Sequence, residues 1–471
     1  WRRARAGQLP IIVGPRSALL VPLPNPGLIV LDECHDESYY QTEGQPYYSA
    51  IEAALAYGRQ TGSVVLLGSA TPGVGQMYRA QRDGWNMLNL PLRILAHRAA
   101  VQSYTDRTGL TPPALETEAD AAAFHLPAVE VVDMRQELKA GNRSIFSRPL
   151  RDGIEAVLAA GQQAILFLNR RGTATYVFCR DCGSSLRCPR CDRPLVQHMQ
   201  GGANALTCHT CGYRRQMPKK CPTCGSAHIR QYGTGTEKVE SEVQAAFPNA
   251  RTLRWDAETV REKGSHEILL SHFMNHQADI LVGTQMLAKG LDLPLVTLVG
   301  VILADVGLNL DDYRAGERTF QLLTQVAGRA GRSLLGGRVV LQTFQPEHYA
   351  IQSAAQHDYT GFYRQEIRYR REMHYPPFTR LTRLEFRGTD AAAVEESAKK
   401  AAAILQQRID EENYAATRLI GPVPCFFGKQ NGQYRWQVVV NGPDPAALIR
   451  AHQKELAGEG MLIQVDPPSL L

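Results

Sequence analysis

Cysteine spacing is the strongest chemical signal in this 471-residue sequence. Eight of the ten cysteines fall within 46 residues as four Cys-x-x-Cys pairs, namely Cys179/Cys182, Cys188/Cys191, Cys208/Cys211 and Cys221/Cys224. Four thiolates complete a tetrahedral zinc site and leave no position open for water. The spacing therefore predicts two structural Zn²⁺ ions in a reducing compartment, and it disfavours secreted disulfides, redox thiols or an iron–sulfur cluster.

The gaps between these cysteines favour one way of pairing them. The two inner pairs are separated by 16 residues, a zinc-ribbon spacing, which leaves the outer pairs for the other ion in a nested arrangement. Pairing of sequential neighbours stays open. Arginines and lysines crowd the same window, so we expect a basic module that contacts a phosphate backbone; the alternative is that they only keep a small module in solution.

A second group of residues resembles the motifs of a nucleotide-driven motor. Asp32-Glu-Cys-His35 follows an apolar strand, where Asp32 would hold Mg²⁺ and Glu33 would orient the attacking water. Gly68-Ser-Ala-Thr-Pro72 follows the next strand, and residues 283–290 and 325–332 complete a series. In such a series Gln325, Arg329 and Arg332 face the nucleotide, where an arginine can stabilise charge on the γ-phosphate.

These residues require parallel strands to position them. Apolar runs at 9–13, 28–31, 64–67, 164–168, 279–282, 296–303 and 338–343 predict strands, most of which end in polar or glycine-containing turns. The cysteine window interrupts the second α/β unit, so we interpret it as an insertion. From Tyr375-Pro-Pro-Phe378 onward the pattern indicates a small α+β domain.

The predicted fold class is α/β, with two parallel-sheet lobes of which the first is incomplete, a two-zinc insertion and a small α+β C-terminal domain. The predicted boundaries are 1–100 for the partial first lobe, 101–140 for a linker, 141–178 and 226–350 for the second lobe, 179–225 for the insertion, 351–378 for a helical connector and 379–471 for a DNA-binding domain.

Composition narrows the class of protein further. The net charge of +6 permits binding to nucleic acid without proving it, and no apolar run is long enough to span a bilayer. The Arg-rich start lacks a following apolar segment, which disfavours a signal peptide and suggests a fragment. We expect a multidomain cytoplasmic protein that does not bind membranes.

The motifs together resemble the PriA family of bacterial replication-restart proteins. The resemblance covers nearly the whole chain and rests on these segments: Phe167-Leu-Asn-Arg-Arg-Gly172, the eight-cysteine insert, 283–290, Glu317-Arg-Thr-Phe-Gln321, 325–332, Tyr375-Pro-Pro-Phe378, Gly421-Pro-Val-Pro424, Tyr434-Arg-Trp-Gln437 and Val465-Asp-Pro467.

This resemblance implies RecA-like helicase lobes and ATP-dependent 3′ to 5′ DNA unwinding. It also implies recognition of stalled, forked or single-stranded DNA, contact with single-strand-binding protein and primosome proteins, and reloading of the replicative helicase, by a monomer at the bacterial nucleoid. The catalytic positions would be Asp32, Glu33, His35, Arg329 and Arg332, with Gln325 and Gly290 in the nucleotide cleft. The DNA-binding positions would be Arg16, Tyr39, Tyr47, Arg170, Arg171, Lys289, Lys429, Arg435 and Trp436.

The sequence departs from the family pattern at the nucleotide site. No Gly-x-x-x-x-Gly-Lys-Ser/Thr phosphate loop occurs in the 471 residues, so ATP and Mg²⁺ are expected only if the parent protein keeps one. Pro15, Cys34, Tyr40 and Leu291 also replace the residues that the family leads us to expect. We therefore expect a restart protein without ATPase activity in this chain; the alternatives are a fragment of an active helicase and, remotely, an unrelated zinc-ribbon protein.

Two aromatic groups have alternative interpretations. Tyr39, Tyr40, Tyr47 and Tyr48 correspond to an aromatic-rich loop that would stack on unpaired bases, or two of the four would pack between the lobes. Trp436 would track nucleic acid with its basic neighbours, or it would belong to the core of the C-terminal domain.

Overall fold

The computed structural model describes residues 1–42, 44–90, 126–169, 175–190, 194–197, 205–208, 212–231, 235–256, 259–260, 264–288, 293, 295–310, 312–330, 337–414, 416–456 and 460–470. Several predicted positions lie outside the described residues: Arg170, Arg171, Cys191, Cys211, Lys289, Gly290, Leu291, Arg332 and most of the predicted linker.

The strands are β1 Leu28–Leu31, β2 Val64–Leu67, β3 Ala128–Asp133, β4 Gln163–Phe167, β5 Thr175–Cys179, β6 Val196–Gln197, β7 Ala205–Thr207, β8 Arg214–Gln216, β9 Ile229–Gln231, β10 Thr252–Trp255, β11 Ile280–Gly283, β12 Val296–Val301, β13 Arg338–Thr343, β14 Arg380–Gly388, β15 Arg418–Gln430, β16 Gln433–Gly442 and β17 Met461–Val465. The α-helices are α1 Arg2–Arg5, α2 Ala50–Thr61, α3 Val74–Arg82, α4 Met134–Lys139, α5 Arg148–Ala159, α6 Thr236–Ala246, α7 Ser265–Met274, α8 Asp305–Leu308, α9 Ala315–Ala330, α10 Tyr349–Ala355, α11 Tyr359–Glu372, α12 Ala391–Glu411, α13 Pro445–Ala451 and α14 Gln453–Leu456.

The chain forms two compact units, and the boundary between them falls within α11. Unit 1 combines Trp1–Asn86 with Ile367–Leu471, and unit 2 is Met87–Glu366. Each unit has its own sheets and its own buried apolar cluster.

Unit 2 is built on a six-stranded sheet in the order β10-β11-β4-β12-β13-β3, with every pairing parallel. Strand β4 is buried along its whole length, as its continuous apolar sequence predicts. Helix α5 is capped at its N-terminus by Ser147, whose hydroxyl accepts a hydrogen bond from the backbone N–H of Leu150. Leu150, Ile154 and Val157 then lie at helical spacing on its buried face.

Between β4 and α6 the chain forms the separate cysteine-rich module. Its strands make an antiparallel sheet in the order β8-β7-β6-β5-β9, and each strand has only two to five residues. The buried cluster of this module consists of four cysteines and five aliphatic side chains. Such a small core depends on cross-links or metal for stability.

Unit 1 contains a two-stranded parallel sheet and a larger antiparallel one. Strands β1 and β2 pair in register from Leu28 opposite Val64, and α2 ends at Gly62 in the left-handed conformation. The second sheet has the order β15-β16-β14-β17 and carries α12 on one face through the small side chains of Ala398 and Ala402. The predicted α/β class with an α+β C-terminal domain is confirmed.

One predicted strand is wrong. Residues 9–13 form no strand, and Ile11 and Val13 are exposed. Pro10 removes a ladder donor, and an apolar run alone cannot make a strand where no strand among the described residues pairs with it. Among the described residues no helix is long and apolar enough to cross a membrane.

Candidate metal centre and motor motifs

The thiols of the two outer cysteine pairs converge on one point. All four Sγ atoms of Cys179, Cys182, Cys221 and Cys224 lie within 4.8 Å of one another. The Sγ atoms of Cys179 and Cys224 are 3.6 Å apart, and those of Cys182 and Cys221 are 3.7 Å apart. Sulfurs around a tetrahedral zinc stand about 3.8 Å apart, whereas disulfide sulfurs are about 2 Å apart. The four residues thus fit a metal ion, in the arrangement that nested pairing requires.

Matching glycine turns place each of these pairs. The backbone N–H of Gly183 donates to the carbonyl of Cys179, and that of Gly225 donates to the carbonyl of Cys221, each at 2.8 Å. Both glycines have positive φ, 72° and 74°, which costs glycine little and other residues more. Because each turn folds the chain back on itself, both cysteines of a pair face the same point.

The electrostatics of the thiols differ within the cluster. Burial raises the pKa of Cys221, but backbone N–H groups of Cys224 and Thr223 outweigh this effect and bring the pKa to about 7. Burial raises the pKa of Cys182 to about 12. Since only thiolates bind zinc, metal binding here must displace protons.

The inner cysteine pairs are described only in part. Cys188 and Cys208 are buried in the same apolar cluster of the module, while Cys191 and Cys211 lie outside the described residues. Gly212, with φ of 71°, repeats the turn of the outer pairs by donating to the Cys208 carbonyl at 3.0 Å. The second zinc site stays a prediction.

The outer metal site lies against the end of a strand of the parallel sheet. A Cβ atom at Gly183 would stand 2.2 Å from the Phe344 carbonyl oxygen, so only glycine fits this contact. The rings of Phe178 and Phe344 are 4.8 Å apart, which adds an apolar contact beside it. The insertion is therefore packed directly onto the residue that follows β13.

In unit 1 the acidic motif, residues 32–35, lies next to the motif that follows β2, residues 68–72. Asp32 and Glu33 are exposed at the carboxyl end of β1, while His35 is buried. The His35 Nδ1 atom lies 2.6 Å from Ser69 Oγ and 3.4 Å from Glu33 Oε2. This contact arises because β1 and β2 are parallel neighbours whose carboxyl ends meet at one edge. The sequence predicted both motifs but not their link through His35.

The four tyrosines that follow the acidic motif differ in whether their hydroxyl groups form hydrogen bonds. The Tyr39 hydroxyl donates to the Asp32 carbonyl at 2.6 Å, and the Tyr40 hydroxyl donates to the Val465 carbonyl in β17 at 2.8 Å. Burial raises the pKa of Tyr40 to about 12. Tyr47 and Tyr48 are half-buried, and among the described residues their hydroxyls have no partner.

Arg16, predicted to bind DNA, supports the same loop. Its Nη1 donates to the carbonyl of Ser38 at 2.8 Å and to that of Tyr40 at 3.3 Å. The guanidinium therefore holds the segment that carries the tyrosines.

In unit 2, Gln325 and Arg329 lie on α9, where Gln325 is half-buried and Arg329 is buried. Sequence reasoning missed the charged network at the start of this helix. Arg318 Nη1 is 2.8 Å from Asp312 Oδ2, and both side chains are buried. Burial raises the pKa of Asp312, but Arg318 outweighs it, and the net pKa is lowered. The sequence signal for this network was the close spacing of acidic and basic residues between positions 311 and 318.

The predicted DNA-binding residues of the C-terminal domain have different surroundings. Lys429 is exposed, with its Nζ 4.6 Å from the centre of the Tyr434 ring. Trp436 is half-buried and packs against the cluster beneath α12. Arg435 is buried, with its Nε 2.6 Å from Glu385 Oε1.

Glu385 is a buried acid that the sequence did not single out. Arg383 and Arg387 also lie 2.6 Å from its carboxylate, so three guanidinium groups surround one carboxylate on β14 and β16. Burial alone would raise the pKa of Glu385, but hydrogen bonds from Arg435 and Arg387 lower it to about 2. These arginines therefore neutralise a buried charge.

The parallel sheet, the thiol cluster and the antiparallel domain together define an α/β protein with a separate antiparallel domain and a candidate metal site. Residues 371–468 match the family model described as primosomal protein N C-terminal domain. The replication restart protein PriA of Bacillus subtilis is 40% identical over 99% of this chain and 54% of its own length. PriA of Synechocystis is 42% identical over 99% of this chain and 53% of its own length.

Along nearly its whole length the chain is therefore similar in sequence to PriA replication-restart proteins, as its motifs predicted, and this similarity argues against an unrelated zinc-ribbon protein. The chain spans about half the length of these relatives. A solved structure of RecG bound to a three-way DNA junction matches with a TM-score of 0.32 and 11% identity, over 76% of this chain and 31% of RecG. A superposition this weak does not align individual site residues.

Proposed function

We propose that this chain is the metal-binding and DNA-binding part of a replication-restart protein. It recognises stalled, forked or single-stranded DNA and helps to reload the replicative helicase, together with single-strand-binding protein and primosome proteins. It acts as a monomer in the bacterial cytoplasm, at the nucleoid. The observation that supports this most is 40% identity to a replication restart protein along 99% of the chain.

Zinc is the metal proposed for the cysteine module. Four thiolates at tetrahedral spacing satisfy a zinc ion completely, so its contribution is structural. Cys179, Cys182, Cys221 and Cys224 would hold one ion, and Cys188, Cys191, Cys208 and Cys211 the other. The metal would hold short strands together, so that exposed basic residues such as Arg190 and Arg214 face DNA or partner proteins.

The nucleotide site has only some of the groups that ATP hydrolysis requires. Asp32 could bind Mg²⁺ and Glu33 could orient water, since both carboxylates are exposed at a strand end. No phosphate loop occurs in the sequence, so no backbone cradle and lysine from this chain hold the phosphates. The 471 residues therefore bind forks without hydrolysing ATP.

An active ATP-dependent 3′ to 5′ helicase is the second candidate. It is favoured by the intact Asp32, Glu33, His35 and Arg329, and by the length of the relatives, of which this chain covers about half. In that case these residues would perform catalysis within a longer protein that supplies the phosphate loop.

The discriminating experiment measures DNA-stimulated ATP hydrolysis and fork binding by the full-length natural protein. The test variant is Glu33→Gln, and the control is Glu396→Gln, which changes an exposed acid on α12. Turnover that disappears only in Glu33→Gln would show an active ATPase site and support the helicase. Tight, fork-selective binding without turnover would support the non-hydrolytic restart protein, and absence of DNA binding would contradict both.

A further inference from the structure

Helix α11 carries a row of exposed arginines to which neither the family motifs nor the predicted site assigned a role. Arg364, Arg368 and Arg371 are exposed, whereas Phe362 and Arg370 on the other side of the helix are buried. The helix is therefore anchored by one face and presents the other to solvent.

The three arginines form a straight stripe. Positions separated by four and then three residues fall within about 60° of one another around a helix and extend about 10 Å along it. A linear array of this kind suits a linear polyanion better than a compact acidic ligand.

The described part of the chain places no compensating acid beside the stripe. Among the described residues, no carboxylate lies within ion-pair distance of Arg364, Arg368 or Arg371. The buried acid of this helix, Glu366, is bonded to the hydroxyl of Tyr349 at 2.6 Å. The exposed acid Glu372 lies at the end of the helix and pairs with none of them.

Helix α12 provides a comparison within the same protein, because its exposed basic residues form ion pairs with nearby acids. There Lys399 pairs with Glu395 at 2.8 Å, and Arg408 pairs with Glu411 and Glu455, each at 2.8 Å. The charges of α12 are largely balanced within the chain, whereas those of the stripe are not.

An aromatic side chain holds one end of the stripe. The Arg371 guanidinium lies 4.9 Å from the centre of the Phe378 ring, and this ring stands 5.1 Å from that of Tyr78. Stacking restricts the guanidinium without neutralising it, so less entropy is lost when it binds an anion.

We propose that Arg364, Arg368 and Arg371 bind consecutive phosphates of a DNA backbone. This inference rests on the proposed function, since it assigns a surface to the DNA that the protein recognises. Arginine can donate two parallel hydrogen bonds to one phosphate, and each neutralised phosphate releases counterions. The contact is independent of base sequence and would orient the fork along α11.

The test is the salt dependence of fork binding by the full 471-residue chain and by the full-length protein. Arg364, Arg368 and Arg371 are changed together to Gln, and the matched control changes Lys399, Lys400 and Arg408 to Gln, with the same loss of three charges. The slope of log K against log salt should fall by about 0.9 per contact on duplex DNA, or about 0.7 on single strands. The control should keep the wild-type slope.

Replacement of the same three arginines by lysine distinguishes an effect of lost positive charge from an effect of impaired folding. This variant should keep most of the salt slope while losing part of the affinity, because lysine keeps the charge but not the paired hydrogen bonds. A wild-type slope in the Gln variant, or equal losses in stripe and control, would overturn the assignment. If the unaltered chain binds no DNA, the proposed function fails before this test begins.

Discussion

Gly183 and Gly225 adopt the same left-handed conformation in equivalent turns but have different surroundings. A Cβ at Gly183 would stand 2.2 Å from the Phe344 carbonyl oxygen, while a Cβ at Gly225 would meet nothing within 4 Å. We expect Gly225→Ala to cost about 1–2 kcal/mol from backbone strain alone. Gly183→Ala should cost more, because the turn must also move away from the sheet. Thermal unfolding of both variants, with bound zinc measured in parallel, checks this, and equal losses would contradict it.

Glu385 has the most heavily paired carboxylate in the described part of the C-terminal domain. Glu385→Gln should destabilise the protein by about 3–5 kcal/mol, because it leaves buried arginines without their counter-charge. Glu395→Gln, which breaks an exposed pair with Lys399 on α12, should cost less than about 1 kcal/mol. Urea unfolding of the two variants compares them.

The same residue predicts a pH dependence. Because the pKa of Glu385 is about 2 in the folded protein, against its ordinary value of 4.5, its stabilising contribution is complete above about pH 4.5. The contribution is lost as the pH falls from about 4.5 toward about 2. Glu385→Gln should remove this part of the acid dependence; an unchanged acid profile would argue against the buried charge cluster.

At the scale of elements, the cysteine module has too little apolar core to persist without metal. Its strands are two to five residues long, and four of the eight paired cysteines are themselves members of its buried cluster. Chelation of the metal should therefore abolish amide protection in β5 to β9 while protection in β4, β11 and β12 remains. Hydrogen exchange with and without a chelator measures this. Protection that survives in the module would show that it folds without metal.

At the scale of the whole molecule, unit 1 joins the two ends of the chain. The bond from the Tyr40 hydroxyl to the Val465 carbonyl crosses from the first 86 residues to the last strand. Tyr40→Phe should cost about 1 kcal/mol at most and raise hydrogen exchange in β17, since it removes the hydrogen bond to the Val465 carbonyl. Tyr57→Phe, whose hydroxyl has no described partner, is the control and should leave β17 unchanged. Equal exchange in both variants would show that this bond does not join the segments.

The sequence by itself determined the motifs, the thiol chemistry and the strands β1, β2, β4, β11, β12 and β13. Four repeats of one cysteine spacing predict metal ligands because local spacing sets which thiols share a turn. Strands β1, β2 and β4 were predictable from continuous apolar runs. Of these three, β4 is buried along its whole length and so needs no alternation, whereas alternate residues of β1 and β2 are exposed.

Tertiary structure decided which outer thiols meet and which polar groups pair across the fold. Pairing of Cys179 and Cys182 with Cys221 and Cys224 requires strands β5 and β9 to be neighbours, and spacing alone left sequential pairing open. The His35–Ser69 contact depends on β1 lying beside β2. The burial of Arg435 against Glu385 depends on the register of β14 and β16, and a shift of one residue would have exposed it instead. Such contacts join distant parts of the chain, so no local pattern encodes them.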